Sequence, residues 1–256
     1  MSKYEEKIAR ELAEWQVTMQ RTPSVSNAAI RKVQTKINSL LPNRLHKVIT
    51  KVIKELTRAV LFGADFTTKP VTEVRSMMDI EDQVRDKINK YTSTATAEGA
   101  ITGFGGFVSG LADFPLWLSI KMKMLFDIAA SYGVDTKDYK ERLFILYVFQ
   151  LAFSSQKRRN EIYLIVSNWE VQKDKLPKDI NAFDWQSFQQ EYRDHLDLAK
   201  LLQLIPGVGA VVGAYVNHKL TNRLGKTAMN AYRMRRLNIE NGNSEKSKKS
   251  LLKHRK

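Results

Sequence analysis

The sequence predicts an all-α fold: one domain of eight or nine helices over residues 1–237, carrying two glycine-rich apolar helical hairpins. Three observations predict it. Apolar residues recur at intervals of three and four along most of the 256 residues, the spacing that lines one face of an α-helix. Alternating apolar and polar runs, the mark of a half-buried strand, are almost absent. Proline, glycine, serine and aspartate stand between the periodic stretches, where helices start and stop.

Taken in order, Ser2-Lys3-Tyr4-Glu5 has the spacing of a capping box, and Tyr4, Ile8, Leu12, Trp15 and Met19 then fall on one helical face. Ile30, Val33, Ile37 and Leu40 mark a second helix, ended by Pro42. A third has Leu45, Val48, Ile49, Val52, Ile53, Leu56 and Val60 along one side and lysines along the other, so it is amphipathic. Pro70 is expected to open the next, through Val74, Met77, Met78, Val84, Ile88 and Tyr91. The most apolar stretch follows, TATAEGAITGFGGFVSGLADFPLWLSIKMKMLFDIAASYG. Asp135 is expected to cap KERLFILYVFQLAF, and NEIYLIVSNWEV makes another helix. Residues 171–183, with Pro177, read as a polar loop; Asp184 starts a helix ending at Pro206, and from Gly209 the chain can run helically to Leu237. The tail, 238–256, has few apolar residues and is expected to be disordered.

Composition narrows the chemistry. Apolar residues make up 43% and charged residues 27% of the chain, as in a globular protein. There is no cysteine, which excludes disulfides, cysteine zinc sites and a thiol nucleophile. The first residues lack an apolar core of the secretory kind. The expected location is the cytoplasm, peripheral on the inner face of the cell membrane.

The net charge of +15 is concentrated. Residues 31–58 hold eight lysines and arginines, among them Lys47, Lys51 and Lys54, against Glu55 alone. Residues 218–237 hold Lys219, Arg223, Lys226, Arg233, Arg235 and Arg236 and no acid, and the tail adds six cations against two glutamates. Such blocks attract polyanions, either the headgroups of an anionic leaflet or nucleic acid.

Residues 201–227, LLQLIPGVGAVVGAYVNHKLTNRLGKT, imitate a nucleotide site twice. Gly225-Lys226-Thr227 ends like a phosphate loop, but Leu220 stands where that loop needs glycine, and no strand precedes it. Gly207, Gly209 and Gly213 resemble a dinucleotide turn, yet Pro206 and a helix come before them and no acid follows at ribose distance. The four histidines (His46, His195, His218, His254) have no metal-ligand spacing. His195 between Asp194 and Asp197 reads as a polar helix face, and Asp113 as the cap of a helix whose first turn holds Pro115. No catalytic residue, metal ligand or cofactor emerges.

The glycines fit helix contacts better. Gly99, Gly103, Gly106 and Gly110 recur at small-xxx-small spacing, as do Gly209 and Gly213, which lets two backbones approach closely. Gly105-Gly106 and Pro206-Gly207 are the expected bends. Ala100–Ile120 carries one charge, Asp113, over the length a membrane span needs, but Pro115 interrupts it. Spanning, shallow insertion and a buried hairpin all stay open. Trp117, Tyr215 and Tyr232 could anchor at an interface or pack in a core.

GLADFPLWLSIKMKMLFDIAASYGVD, WQSFQQEYRDHLDLAKLLQLIPGVGAVVGAYVN and LGKTAMNAYRMRRL together resemble the EcsC family of bacterial proteins, over about residues 30–237. The resemblance implies a helical cytoplasmic protein whose gene lies beside an exporter-type ABC ATPase and its membrane subunit, with no catalytic residues to carry over. The combined expectation is a non-enzymatic accessory protein that binds anionic membrane through its basic helices and glycine-rich hairpins. Its partners would be the membrane surface and the ABC transporter's membrane subunit or ATPase. The alternatives are a nucleic-acid-binding protein using the same basic faces and a membrane-proximal hydrolase.

Overall fold

The computed structural model describes residues 3–21, 43–63, 66–73, 75–102, 106–154, 158–184, 186–188 and 210–253. They form α1 (Lys3–Gln20), α2 (Asn43–Phe62), α3 (Met77–Thr102), α4 (Gly106–Ser131), α5 (Tyr139–Phe153), α6 (Arg159–Ser167), α7 (Trp169–Asp174), a 3-10 turn (Ile180–Ala182) and α8 (Ala210–Lys253). The fold is all-α, and there is no strand among the described residues.

α5 is the central element. From Glu141 to Phe153 only Tyr147 escapes full burial, as expected of a helix apolar on every side. Phe144 sits with its ring centroid 5.3 Å from Trp169 and 5.1 Å from Tyr232, and Tyr132 stacks on Tyr232 at 5.5 Å. α8 makes the most extensive contact in the molecule, along α3, and also packs on α5 and α4. The α3–α8 pairing is antiparallel. Asn217 Nδ2 donates to the Ala95 carbonyl at 3.1 Å, Gly225 lies against Ile88, and Arg233 bonds Glu81.

Gly225 shows what one of the misleading glycines does. A Cβ there would lie 2.6 Å from Ile88 Cγ1 and 2.8 Å from Cγ2, so the missing side chain lets the two helices close.

Several helix starts differ from expectation. α3 begins at Met77 and not at Pro70, because Ser76 Oγ accepts from Asp79 N at 3.2 Å, an N-cap contact, and donates to the Asp79 carboxylate at 2.6 Å. Asp138, not Asp135, caps α5 by accepting from Lys140 N at 2.9 Å. Asp135 holds the preceding turn instead, through Lys137 N at 3.0 Å. Asn168 divides NEIYLIVSNWEV into α6 and α7, and the expected loop 171–183 contains the last four residues of α7 and the 3-10 turn. Asp113 is no cap: α4 begins seven residues earlier, at Gly106, and runs on past Pro115. Of the bend expected at Gly105-Gly106, Gly105 lies outside the described residues, and α4 starts at Gly106. The tail expected to be disordered continues α8 as far as Lys253. It contains no proline, and extending an existing helix adds a hydrogen bond for each residue fixed. Helix 30–40 and most of the helix after Asp184 lie outside the described residues.

Candidate functional site

The described parts of the glycine-rich segments lie on α3, α4 and α8. α3 ends at Thr102, α4 starts four residues later, and Asn217 on α8 meets α3 at Ala95, two turns before that end. Gly99, Gly106, Gly110, Asp113, Trp117 and Gly213 lie on these helical segments, while Gly103, Pro206, Gly207 and Gly209 fall outside the described residues. Leu116 on α4 and Tyr215 on α8 are each 65% exposed; Leu164 at 59% and Val171 at 60% are comparably exposed elsewhere. Pro115 is exposed beside Leu116. Tyr232, weighed as an anchor, is a core residue. No helix among the described residues is long and apolar enough to cross a membrane.

α2 supplies cations close by. Lys51, Lys54 and Arg58 are exposed and fall on one face by their spacing of three and four. Ile53, Leu56, Thr57 and Val60 are buried on the other. Lys47 lies a turn earlier on the same helix. The C-terminal end of α2 is tied to the start of α5 by Arg142, whose Nη1 donates to the Leu61 and Gly63 carbonyls at 3.0 and 2.7 Å. Its Lys51 end therefore runs back along α4, and Lys51 and Pro115 line one groove of about 490 Å³. On α8, Lys219 and Lys226 are exposed and Arg223 and Arg236 half-buried.

Arg233 and Arg235 were expected to face an anionic surface, and they do not. Arg233 is 1% exposed and grips Glu81, itself 0% exposed, by Nε and Nη2 at 2.6 Å each. Glu81 also accepts from Tyr4 and from Arg85 at 2.8 and 3.1 Å, and Glu11 reaches Arg233 at 3.3 Å. One buried carboxylate thus binds α1, α3 and α8 together. Arg235 forks onto Glu141 at 2.6 and 3.0 Å, meets Glu170 at 2.7 Å, and lies over the Phe144 ring at 4.5 Å, joining α8, α5 and α7. Desolvation alone would push this guanidinium down, but Glu141 and Glu170 reverse the effect and raise its pKa. Both arginines point inward because burying a guanidinium is tolerable only with a carboxylate partner, and the acids that supply one lie on other helices.

Sequence reasoning missed a second polar group. Asp127 on α4 accepts from Tyr91 at 2.5 Å, from Thr68 at 2.7 Å and from Lys123 at 3.1 Å. Lys123 also donates to Thr68 Oγ1 at 2.6 Å, and Lys87 donates to the Asp127 carbonyl and Ser131 Oγ at 3.1 and 2.7 Å. Burial favours the protonated carboxyl, yet the hydrogen bonds from Tyr91, Thr68 and Lys123 outweigh it and hold Asp127 below the usual carboxylate range. Burial lowers the Lys87 pKa; Asp127 opposes this, while Lys123 and Arg75 add to it. The signal was present as charged residues four apart, Lys123 and Asp127, inside an apolar run. This cluster locks the 66–73 segment onto α3 and α4. Among the described residues no group of three or more acidic or histidine side chains is placed to hold a metal ion.

The molecule so defined is an all-α domain, closed by two internal arginine–glutamate clamps, with exposed cations along α2. The chain belongs to the EcsC protein family, whose model matches residues 6–237, so the likeness reaches back into α1. Protein EcsC of Bacillus subtilis (strain 168) is 42% identical over 229 residues, which cover 89% of this chain and 94% of that protein. An uncharacterized protein of the same organism, YdbA, is 30% identical over 223 residues, covering 78% of this chain and 81% of that one. No solved structure matches.

Proposed function

We propose that this protein is a non-enzymatic accessory protein that seats on the anionic inner face of the cell membrane, beside an ABC transporter. What supports the membrane part is the antiparallel α3–α8 pairing, with Asn217 against Ala95 two turns before the end of α3, together with the exposed Leu116 on α4 and Tyr215 on α8. Lys51, Lys54 and Arg58, exposed on α2, supply the charge. Each lysine or arginine at an anionic surface contributes about 1 kcal/mol, so a handful suffices without a spanning helix. The transporter part rests on the family resemblance.

Flotation with vesicles rich in anionic lipid tests the first part. Binding at low salt that weakens as salt rises is the expected result, because charges on a surface are screened. Indifference to such vesicles, with tight salt-sensitive binding to DNA or RNA, would replace this reading by the nucleic-acid one. Crosslinking in native membranes tests the second part: recovery of the transporter's membrane subunit or ATPase supports it, and its absence at full crosslinking efficiency refutes it.

A further inference from the structure

We infer that Lys87 is a site of covalent modification, its amine placed to take the acyl group of a small acyl phosphate. The inference stands apart from the membrane reading. Lys87 lies half-buried on α3 and reaches across to α4.

Hydrogen bonds fix where its nitrogen can react. Nζ donates to the Asp127 carbonyl at 3.1 Å and to Ser131 Oγ at 2.7 Å. Ser131 gives its own hydrogen to the same carbonyl at 2.9 Å, so toward Lys87 its oxygen only accepts. Both partners of Lys87 are therefore neutral acceptors. The carboxylate of Asp127 is bound instead by Tyr91, Thr68 and Lys123, and Lys87 forms no ion pair with a described residue. A neutral amine has two N–H groups and one lone pair. With both N–H groups held by α4, the lone pair takes the remaining position and points away from those acceptors, where an electrophile can meet it. An ammonium would put a third N–H there, with no partner among the described residues.

Electrostatics act in the same direction. Burial, the largest influence, lowers the Lys87 pKa; Lys123 and Arg75 add to it, and Asp127 opposes them without reversing the sum. A lysine that is desolvated beside another cation is an activated nucleophile.

The surroundings also select the electrophile. A half-buried nitrogen admits a small donor more readily than a bulky one. Lys123 offers a phosphate contact at the same place. Two of its N–H groups reach Thr68 Oγ1 at 2.6 Å and Asp127 Oδ1 at 3.1 Å, and its side chain is 38% exposed. The third N–H has no partner among the described residues and is open to a phosphate oxygen. The Lys87 nitrogen attacks the acyl carbon, and the bond from that carbon to the phosphate oxygen breaks. Phosphate leaves with the electron pair, and the surplus proton on nitrogen passes to water. The resulting amide keeps one N–H for two acceptors, so one contact between α3 and α4 is lost.

The test incubates the full chain with acetyl phosphate at neutral pH and follows each lysine by peptide mass spectrometry. Lys87 is expected to acetylate at least about fivefold faster than Lys90, which is exposed one turn further along α3. In urea the two rates should converge. Lys123→Gln should lower the rate at Lys87 with acetyl phosphate more than the rate with p-nitrophenyl acetate, which carries no phosphate. Equal rates at Lys87 and Lys90 in the folded parent overturn the inference, and this comparison needs no substitution. An excess at Lys87 that persists in urea overturns it too, since folding would not be its cause. Faster transfer from acetyl coenzyme A than from acetyl phosphate, or equal slowing of both reagents by Lys123→Gln, overturns the choice of a small acyl phosphate.

Discussion

Arg233 and Glu81 lie 152 positions apart in sequence and form a two-pronged ion pair, 2.6 Å on each prong, almost wholly removed from solvent. Removing one partner from such a pair leaves a charge buried without compensation and typically costs about 3–5 kcal/mol. Glu81→Ala and Arg233→Ala are each expected to fall in that range in urea unfolding. Glu81→Leu with Arg233→Met is expected to recover most of the loss, since an apolar pair of similar volume needs no desolvation. A double variant as weak as the sum of the singles would show that the pair is not the clamp.

Gly225 and Ile88 give a steric test of the α3–α8 contact. Alanine at position 225 would gain up to about 1 kcal/mol in helix propensity, but its Cβ would fall 2.6 Å from Ile88 Cγ1. The clash is expected to win, with a net loss of about 1–3 kcal/mol. In a Gly225→Ala, Ile88→Ala protein the combined loss is expected to be smaller than the sum of the separate ones, because the second change removes the atoms that the first strikes. Additivity in thermal unfolding would place Gly225 away from the contact.

What the sequence made legible, and what it did not, follows from the range of the interactions involved. Periodicity is local, so the amphipathic side of α2, with Ile53 and Leu56 inward and Lys51 and Lys54 outward, could be read directly. Helix starts were harder, because two plausible caps stood three residues apart at Asp135 and Asp138. Pro70 only permits a helix start, whereas Ser76 hydrogen-bonds into one. The inward turn of Arg233 and Arg235 was out of reach. Residues 231 to 235 of α8 are all buried, so no outward face exists there, and the partners Glu81 and Glu141 lie on other helices. The Asp127 group was half legible: the Lys123–Asp127 spacing was visible, but Thr68 and Tyr91 join it only through the fold.

Acid is expected to weaken the 66–73 anchor through Asp127. Its pKa is lower in the folded chain than the ordinary 3.8, so the folded state holds the proton less readily than the unfolded state. The stabilisation is therefore complete above the unfolded value and is lost as pH falls through 3.8 toward the folded one. Glu170, also held below its ordinary 4.5, adds loss in the same direction from slightly higher pH. Burial raises both, but the bonds that Asp127 accepts from Tyr91, Thr68 and Lys123, and Glu170 from Lys173 and Arg235, prevail. Melting temperature followed from pH 6 to pH 2 should fall less steeply for Asp127→Asn than for the parent, from a lower starting value. Parallel curves would remove Asp127 from the cause.

Counting charge by position gives the last prediction. Of the cations expected to meet lipid, Arg233 and Arg235 are neutralised inside by Glu81, Glu141 and Glu170, so they add little to the field outside. Lys51 and Lys54 remain exposed on α2 together with Arg58. Replacing all three by glutamine removes three surface charges, worth about 3 kcal/mol at an anionic leaflet, or a little over a hundredfold in vesicle affinity. The same three replacements should leave stability within about 0.5 kcal/mol of the parent per site, as for other solvated positions. They should also lower the salt dependence of binding, since fewer charges remain to be screened. Vesicle titrations at two salt concentrations measure both effects. Affinity and salt dependence equal to the parent's would show that α2 does not face the membrane.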